Sequence, residues 1–280
     1  MNLKSKIDMT HSPRKQFAQH WLKSEKALNQ IVKAAEITTS DRVWEIGPGT
    51  GILTRRLLPQ AETVVAVEID RDLCQLLAKK LGKTETFLLL QGDVLSIDLA
   101  ANLANFPAFQ NPNKVVANIP YNITGPILEK LLGTIANPNP RPFDLIVLLV
   151  QKEVAERLYA KPSSKAFGAL SVRVQYLADC ELVCHVPARD FEPPPKVDSA
   201  VVRLRPHTRQ AASDPKFLDN LVKLSFAEKR KMLRNNLKSL VERDRLTHLL
   251  EQLEINPQVR AEDLSVAQWM ELSNRLAPSA

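Results

Sequence analysis

RVWEIGPGTGILTRRLL, residues 42–58, decides the fold. RVWEI is short, apolar and β-branched, as a buried strand is; ILTRRLL has helical spacing; and Gly47, Gly49 and Gly51 join them. A strand that turns through glycines into a helix is half of a βαβ unit, and its turn places backbone amides and a helix start where a ligand can sit. Runs of the same kind recur outward from it: TVVAVEI (63–69), TFLLLQ (86–91), KVVAN (114–118) and FDLIVLLVQ (143–151). The segments between them are helical in spacing. Asp70 is placed to cap RDLCQLLAKKL, with Leu73, Leu76, Leu77 and Leu81 on one face. Alternating strands and helices predict an α/β fold with a mostly parallel sheet. After about residue 170, LSVRVQYLADCELVCHV and SAVVRL read as two extended segments around FEPPPK, predicting an antiparallel closure of that sheet.

From Pro206 the β-branched runs stop and FLDNLVKLSF, KMLRNNLKSLV and RLTHLLEQL read as helices. Ser265 and Gln268 form a capping box before a last helix containing Trp269, Met270 and Leu272. The division predicted is residues 1–206 for the α/β domain and 207–280 for a small all-helical domain.

With 280 residues, 44% hydrophobic and 25% charged, the chain can bury a core without disulfides or metal. Thirty-eight Lys and Arg against 31 Asp and Glu leave a net charge of +7, which favours an anionic partner, nucleic acid first. Cys74, Cys180 and Cys184 are too few for a disulfide framework, and Cys180, Cys184 and His185 have no second pair to complete a zinc site, so no metal is expected. MNLKSKIDMTHSPRK is charged throughout, no later window is apolar for the length of a membrane span, and a cytoplasmic protein without membrane contact is expected.

A dinucleotide fingerprint would need a small residue where Ile52 stands, yet the physics of the turn alone admits either cofactor. G-x-G-x-G behind an acidic residue resembles the nucleotide loop of class I S-adenosylmethionine-dependent methyltransferases. The resemblance implies S-adenosyl-L-methionine as cofactor, with Gly47 and Gly49 at its site. Glu68 ends the second strand where an acid would grip ribose hydroxyls. Asp93, in QGDV, matches the position where the family's carboxylate accepts from the adenine amino group.

VANIPYNITGP (116–126) ends the fourth strand. An aromatic amine is a poor nucleophile and must be held with its lone pair aimed at the methyl donor. The Asn118 oxygen and a nearby backbone carbonyl can accept its two hydrogens, rigid Pro120 fixes the turn, and Tyr121 can stack on the base. N-I-P-Y resembles the Asn/Asp-Pro-Pro-Tyr motif of methyltransferases acting on amino groups such as adenine N6.

RKQFAQHWL (14–22), EIGPGTG, NIPYNIT, QKEVAERLYAKPSSKAFGALSV (151–172), FEPPPKVDSAVVRL (191–204) and FAEKRKMLRNNL (226–237) occur in the order of the KsgA-type small-subunit ribosomal RNA adenine N6,N6-dimethyltransferases. The resemblance spans most of the chain. It implies transfer of four methyl groups to two adjacent adenosines in the 3′-terminal hairpin loop of that RNA, within the assembling small ribosomal subunit. It places cofactor contacts at His20, Leu22, Gly47, Glu68, Asp93 and Asn118, and base contacts at Asn118, Tyr121 and Phe191. Phe191 also has its own rationale, a ring presented by the stiff PPP segment to a base taken out of its stack. The chain departs from the family pattern at Ala18 and Trp21, where glycine and phenylalanine are usual.

Lys229, Arg230, Lys231, Arg234 and Lys238 lie in ten residues without an acid, and on one helix Arg230, Arg234 and Lys238 would form a stripe facing RNA phosphates. Arg14 and Lys15 would extend that footprint. The nearest alternative is the macrolide-resistance type of adenine methyltransferase. A non-enzymatic assembly or transcription factor and an NAD oxidoreductase follow. Nothing in the sequence calls for more than a monomer.

Overall fold

The computed structural model describes residues 19–207, 211–228 and 230–277. In chain order the elements are β1 (Trp21–Leu22), α1 (Glu25–Ala34), β2 (Arg42–Ile46), α2 (Thr54–Leu57), β3 (Thr63–Glu68), α3 (Arg71–Leu81), β4 (Phe87–Gln91), α4 (Leu99–Leu103), β5 (Lys114–Asn118) and α5 (Thr124–Leu132). They continue with β6 (Leu145–Gln151), α6 (Lys152–Leu158), α7 (Ala169–Leu177), β7 (Ala178–Val186), β8 (Phe191–Glu192), β9 (Ser199–Pro206), α8 (Pro215–Ser225), α9 (Leu233–Asn236), α10 (Arg243–Gln252) and α11 (Val266–Leu276).

Seven strands form one sheet in the order β4-β3-β2-β5-β6-β9-β7. β4, β3, β2, β5 and β6 are parallel neighbours, and β9 runs antiparallel to β6. From β2 the chain moves outward through β3 and β4, then returns to the other side of β2 with β5. The carboxyl ends of β2 and β5 are thus the switch point where open α/β sheets bind ligands. Val43, Val64, Val116 and Val147 point to one buried face, while Trp44, Val65, Val115 and Ile146 are buried on the other. Cover on both faces is why these strands are continuous apolar runs rather than alternating ones.

The helices have identifiable starts. The Asp70 carboxylate accepts from the Asp72 N–H at 3.0 Å, and Leu73, Leu77 and Leu81 are the buried stripe of α3. Ser24 caps α1 in the same way. At the base of the sheet the Lys114 ammonium lies 2.8 Å from the Asp41 carboxylate, both largely buried. Burial would push Asp41 up, but Lys114, Asn113 and Thr38 overcome it and hold its pKa down at about 2.

The described residues form two compact units: those within 19–130, 142–155 and 181–205, and those within 131–141, 156–180 and 206–277. The second has its own core, in which Trp269, Leu218, Leu221, Leu233, Leu237, Leu246 and Leu250 are fully buried. Segments 131–141 and 156–180, assigned by the sequence reading to the first domain, group with this helical unit because Ile135, Phe167 and Val172 belong to its core.

Two expectations are corrected. LSVRVQYL, read as extended, is helix α7. Its Val-x-Val alternation imitates a strand, but the Gly168 N–H donates to Ser171 Oγ, which donates in turn to the Arg157 carbonyl, and this start commits the segment to a helix. The basic run is not one helix either. Among the described residues of the run only Leu233–Asn236 is helical, Met232 before it has non-helical backbone angles, and Asn236 Nδ2 donates to the carbonyls of Ser225 and Glu228, folding the run into turns. Like charges four apart also disfavour a helix there.

Candidate cofactor and acceptor-base site

Beyond the ends of β2, β3, β4 and β5 lies an open cleft, where the switch point of an α/β sheet places a ligand. Gly47, Gly49, Glu68, Asp93, Asn118 and Tyr121 line it, together with Gln19, His20 and Trp21. Gly47 and Gly49 have φ of +64° and +57°, a conformation that side chains strain, and it turns the loop sharply across the end of β2. The loop is pinned from below by a Gly47 N–H bond to the Val67 carbonyl at 2.9 Å.

Glu68 is 4% exposed and accepts from the Gly49 N–H at 3.1 Å and the Asp70 N–H at 3.0 Å. Burial raises its pKa and these backbone donors oppose the rise. Each carboxylate oxygen keeps acceptor capacity for a ligand hydroxyl. One oxygen of Asp93 accepts from the Leu95 N–H at 2.9 Å.

Asn118 is the last residue of β5. Its Nδ2 donates to the His20 carbonyl at 3.2 Å, which leaves Oδ1 as the acceptor of the amide. Tyr121 begins a 3₁₀ turn after Pro120. Its hydroxyl is hydrogen-bonded to Ser199 Oγ at 2.6 Å, and its ring stacks on the His20 imidazole with centroids 5.8 Å apart and planes 18° apart. Burial raises the Tyr121 pKa against the pull of the Ser199 bond, so the phenol stays neutral at ordinary pH.

Residues 19–22 strap across this site. Gln19 Nε2 donates to Asp70, the His20 ring bonds the Pro193 carbonyl at 2.8 Å, and a Cβ built on Gly49 would stand 3.6 Å from the Trp21 indole. β1 pairs with β8, setting Leu22 opposite Phe191.

This pairing places Phe191 in the core of the first unit. The ring is 0% exposed and lies in the core with Leu22, Val186 and Val201, so it offers no face to a base in this arrangement; the aromatic partner of Tyr121 is His20. Leu22 is likewise a core residue, touching only a smaller recess beside the cleft. Gly47, Gly49, Glu68, Asp93, Asn118, His20 and Tyr121 do come together. Arg230, Lys231 and Lys238 are exposed on turns and bends of the second unit, and Arg234 is half-buried in α9. Arg14, Lys15, Ala18 and Lys229 lie outside the described residues.

The sequence reading did not single out Glu45, Gln19 or Ser199. Glu45 carried a signal, as the acid ahead of the glycines; Ser199, in the VDSAV stretch, carried none.

A model of the ribosomal RNA adenine dimethylase family matches residues 10–278. The chain belongs to this family. It is 75% identical over 265 residues to the ribosomal RNA small subunit methyltransferase A of a Nostoc species, covering 94% of this chain and 98% of that one. The enzyme of the same name from Synechocystis is 58% identical over 277 residues, 96% and 98% of the two chains. Among solved structures, a dimethyladenosine transferase from Plasmodium falciparum superposes with a TM-score of 0.76 at 29% identity, covering 90% of this chain and 96% of that one. The 23S rRNA methyltransferase ErmE gives 0.70 at 27% identity, with 91% and 99% covered.

The chain is thus a ribosomal RNA adenine N6,N6-dimethyltransferase of the KsgA type, with the class I S-adenosylmethionine-dependent fold. Its residues fit that cofactor. Glu68 has open acceptor sites for ribose hydroxyls, Asp93 has a carboxylate oxygen for the adenine amino group, and the bare Gly47–Gly49 backbone leaves room beside the strap. Among the described residues no group of three or more His, Cys, Asp or Glu could hold a metal, and no helix is long and apolar enough to cross a membrane.

Proposed function

We propose that this enzyme dimethylates two adjacent adenosines in the 3′-terminal hairpin loop of small-subunit ribosomal RNA, acting as a monomer in the cytoplasm on the assembling subunit and without a metal. The observation that carries the site assignment is Asn118. Its amide N–H is committed to the His20 carbonyl, so its oxygen is held ready as an acceptor at the end of β5, on the cleft that Tyr121 also lines.

The bound sulfonium supplies an electrophilic methyl group. Asn118 Oδ1 accepts from N6 of the adenine, drawing the nitrogen away from conjugation with the ring and aiming its lone pair into the cleft. No strong base is required, since the amine attacks neutral and its proton becomes acidic only after the methyl has been gained. Tyr121, neutral and anchored by Ser199, offers a ring face that compensates the adenine for lost stacking, about 1–3 kcal/mol for such contacts. For the base to reach that face, the His20 ring must shift or the base must use the opposite side. Phe191 supports the strap from the core through the β1–β8 pair. Gly47, Glu68, Asp93, His20 and Leu22 hold the cofactor, and Arg230, Lys231, Arg234 and Lys238 contact RNA phosphates, with Arg14, Lys15 and Lys229 in the same role.

The test is mass spectrometry of ribosomal RNA after incubating unmethylated small subunits with the protein and labelled S-adenosylmethionine, with large-subunit RNA as control. Label is expected as N6,N6-dimethyladenosine in the 3′-terminal hairpin of the small-subunit RNA. Label in the large-subunit RNA, or elsewhere in the small-subunit RNA, would overturn this assignment.

A further inference from the structure

An adenine taken out of its stack loses a neighbour on each face, and enzymes that hold such a base replace them with aromatic or apolar side chains. Tyr121 supplies one face. Phe191, whose ring is fully buried in the core, does not supply the other. Among the described residues the rings that line the cleft are those of His20, Trp21 and Tyr121. Trp21 is buried against Gly49, on the side of the glycine loop, which leaves His20.

His20 has the geometry of an opposite wall. It is half-buried, and its ring stands nearly parallel to that of Tyr121, with 18° between the planes and 5.8 Å between the centroids. A base with a ring on each face needs those rings about 7 Å apart, two carbon contact distances of about 3.5 Å each. Withdrawal of His20 by roughly 1–2 Å, with little rotation, therefore opens a space one base thick. Each ring is held at its edge, which leaves the facing surfaces clear for a base. The Tyr121 hydroxyl is bonded to Ser199 Oγ at 2.6 Å, and His20 Nδ1 donates to the Pro193 carbonyl at 2.8 Å. The Asn118 amide donates to the His20 carbonyl at 3.2 Å, so the wall and the acceptor of the N6 hydrogen are tied to each other. We propose that the target adenine is clamped between the rings of Tyr121 and His20, with its N6 edge toward Asn118. This rests on the reading of Asn118 and Tyr121 as the acceptor site. The backbone of His20 then faces the cofactor, and its ring serves the substrate.

The test compares His20→Ala with His20→Phe, by kcat/KM for unmethylated small subunits and by calorimetric titration with S-adenosylhomocysteine. Both variants lose the bond to Pro193, so the difference between them reports the ring face alone. His20→Ala should lower kcat/KM about tenfold or more, as the loss of one base–aromatic stack does, and leave S-adenosylhomocysteine affinity within about twofold. His20→Phe should restore most of the rate. Equal damage in the two variants would mean that the Pro193 bond matters and the face does not. A rate unchanged or raised in His20→Ala would make His20 a plug that the base displaces, and a loss of S-adenosylhomocysteine affinity as large as the loss of rate would put the ring on the cofactor. Any of these three results overturns the clamp. Tyr121→Ala serves as the control for the reading beneath it: if that variant keeps its rate, the acceptor site itself is misplaced, whereas a damaged Tyr121→Ala beside an unimpaired His20→Ala sinks the clamp alone.

Discussion

Glu45 is the ionisable group most at odds with its surroundings, and replacing it by glutamine gives a stability change whose size follows from the structure. Burial pushes its pKa up from 4.5 to about 8, with the Glu68 carboxylate adding to the rise and Thr54 and Arg55 opposing it. The folded chain therefore keeps a proton that the unfolded chain has released by mildly acidic pH. The folded pKa is the higher one, so stability falls as pH rises from about 4.5 toward about 8, by about 1.4 kcal/mol per pH unit. Glu45→Gln keeps the shape and cannot ionise. Integrated between roughly pH 5.5 and pH 8, the ligand-free variant should gain about 3 kcal/mol on the wild type. Any fixed cost of an unsatisfied amide at that site is the same at every pH and cancels from the comparison. Scanning calorimetry of both proteins across this range should show the difference in Tm widening by about 6–12 °C for a unit of this size. A difference constant to within about 1 kcal/mol would refute the reasoning, because Glu45 would then be ionised throughout or reached by water.

Asn118→Ala should lower the methylation rate by about 10²–10³ at saturating cofactor, measured by single-turnover label transfer; a near-normal rate would remove Asn118 from the acceptor site. Tyr121→Phe and Ser199→Ala each break the same 2.6 Å bond, so the double variant should be hardly worse than either single one in the KM for RNA; additive losses would show that Ser199 does not act through Tyr121. Asp41→Asn should destabilise by about 2 kcal/mol at neutral pH. The Asp41 pKa is depressed, so this contribution is full above the ordinary carboxylate range and fades as pH falls toward about 2; denaturation curves showing a loss independent of pH would contradict it. Reversing the charges of Arg230, Arg234 and Lys238 together should weaken binding to the small subunit and flatten its dependence on salt, and an unchanged salt slope would return them to the role of a solvated surface.

By itself the sequence determined the parts of this protein that depend on local pattern. The glycine loop after RVWEI, Glu68 and Asp93 at the next two strand ends and Asn118 at the fourth were all legible, because a parallel sheet brings successive strand ends to one edge. The Asp70 and Ser265 caps were legible for the same local reason. What only the tertiary structure decided were matters of partner rather than pattern. LSVRVQYL alternates like a strand, and a hydrogen-bond chain from Gly168 through Ser171 to Arg157 makes it a helix. KMLRNNLK has helical spacing, and the bonds of Asn236 back to the Ser225 and Glu228 carbonyls, outside the run, fold it into turns. Phe191 precedes a stiff proline run that suits display, yet its pairing with Leu22, almost the length of a domain away in sequence, buries it. The bonds of Tyr121 to Ser199 and of Asn118 to His20 span 78 and 98 residues, separations at which no periodicity in the chain carries information.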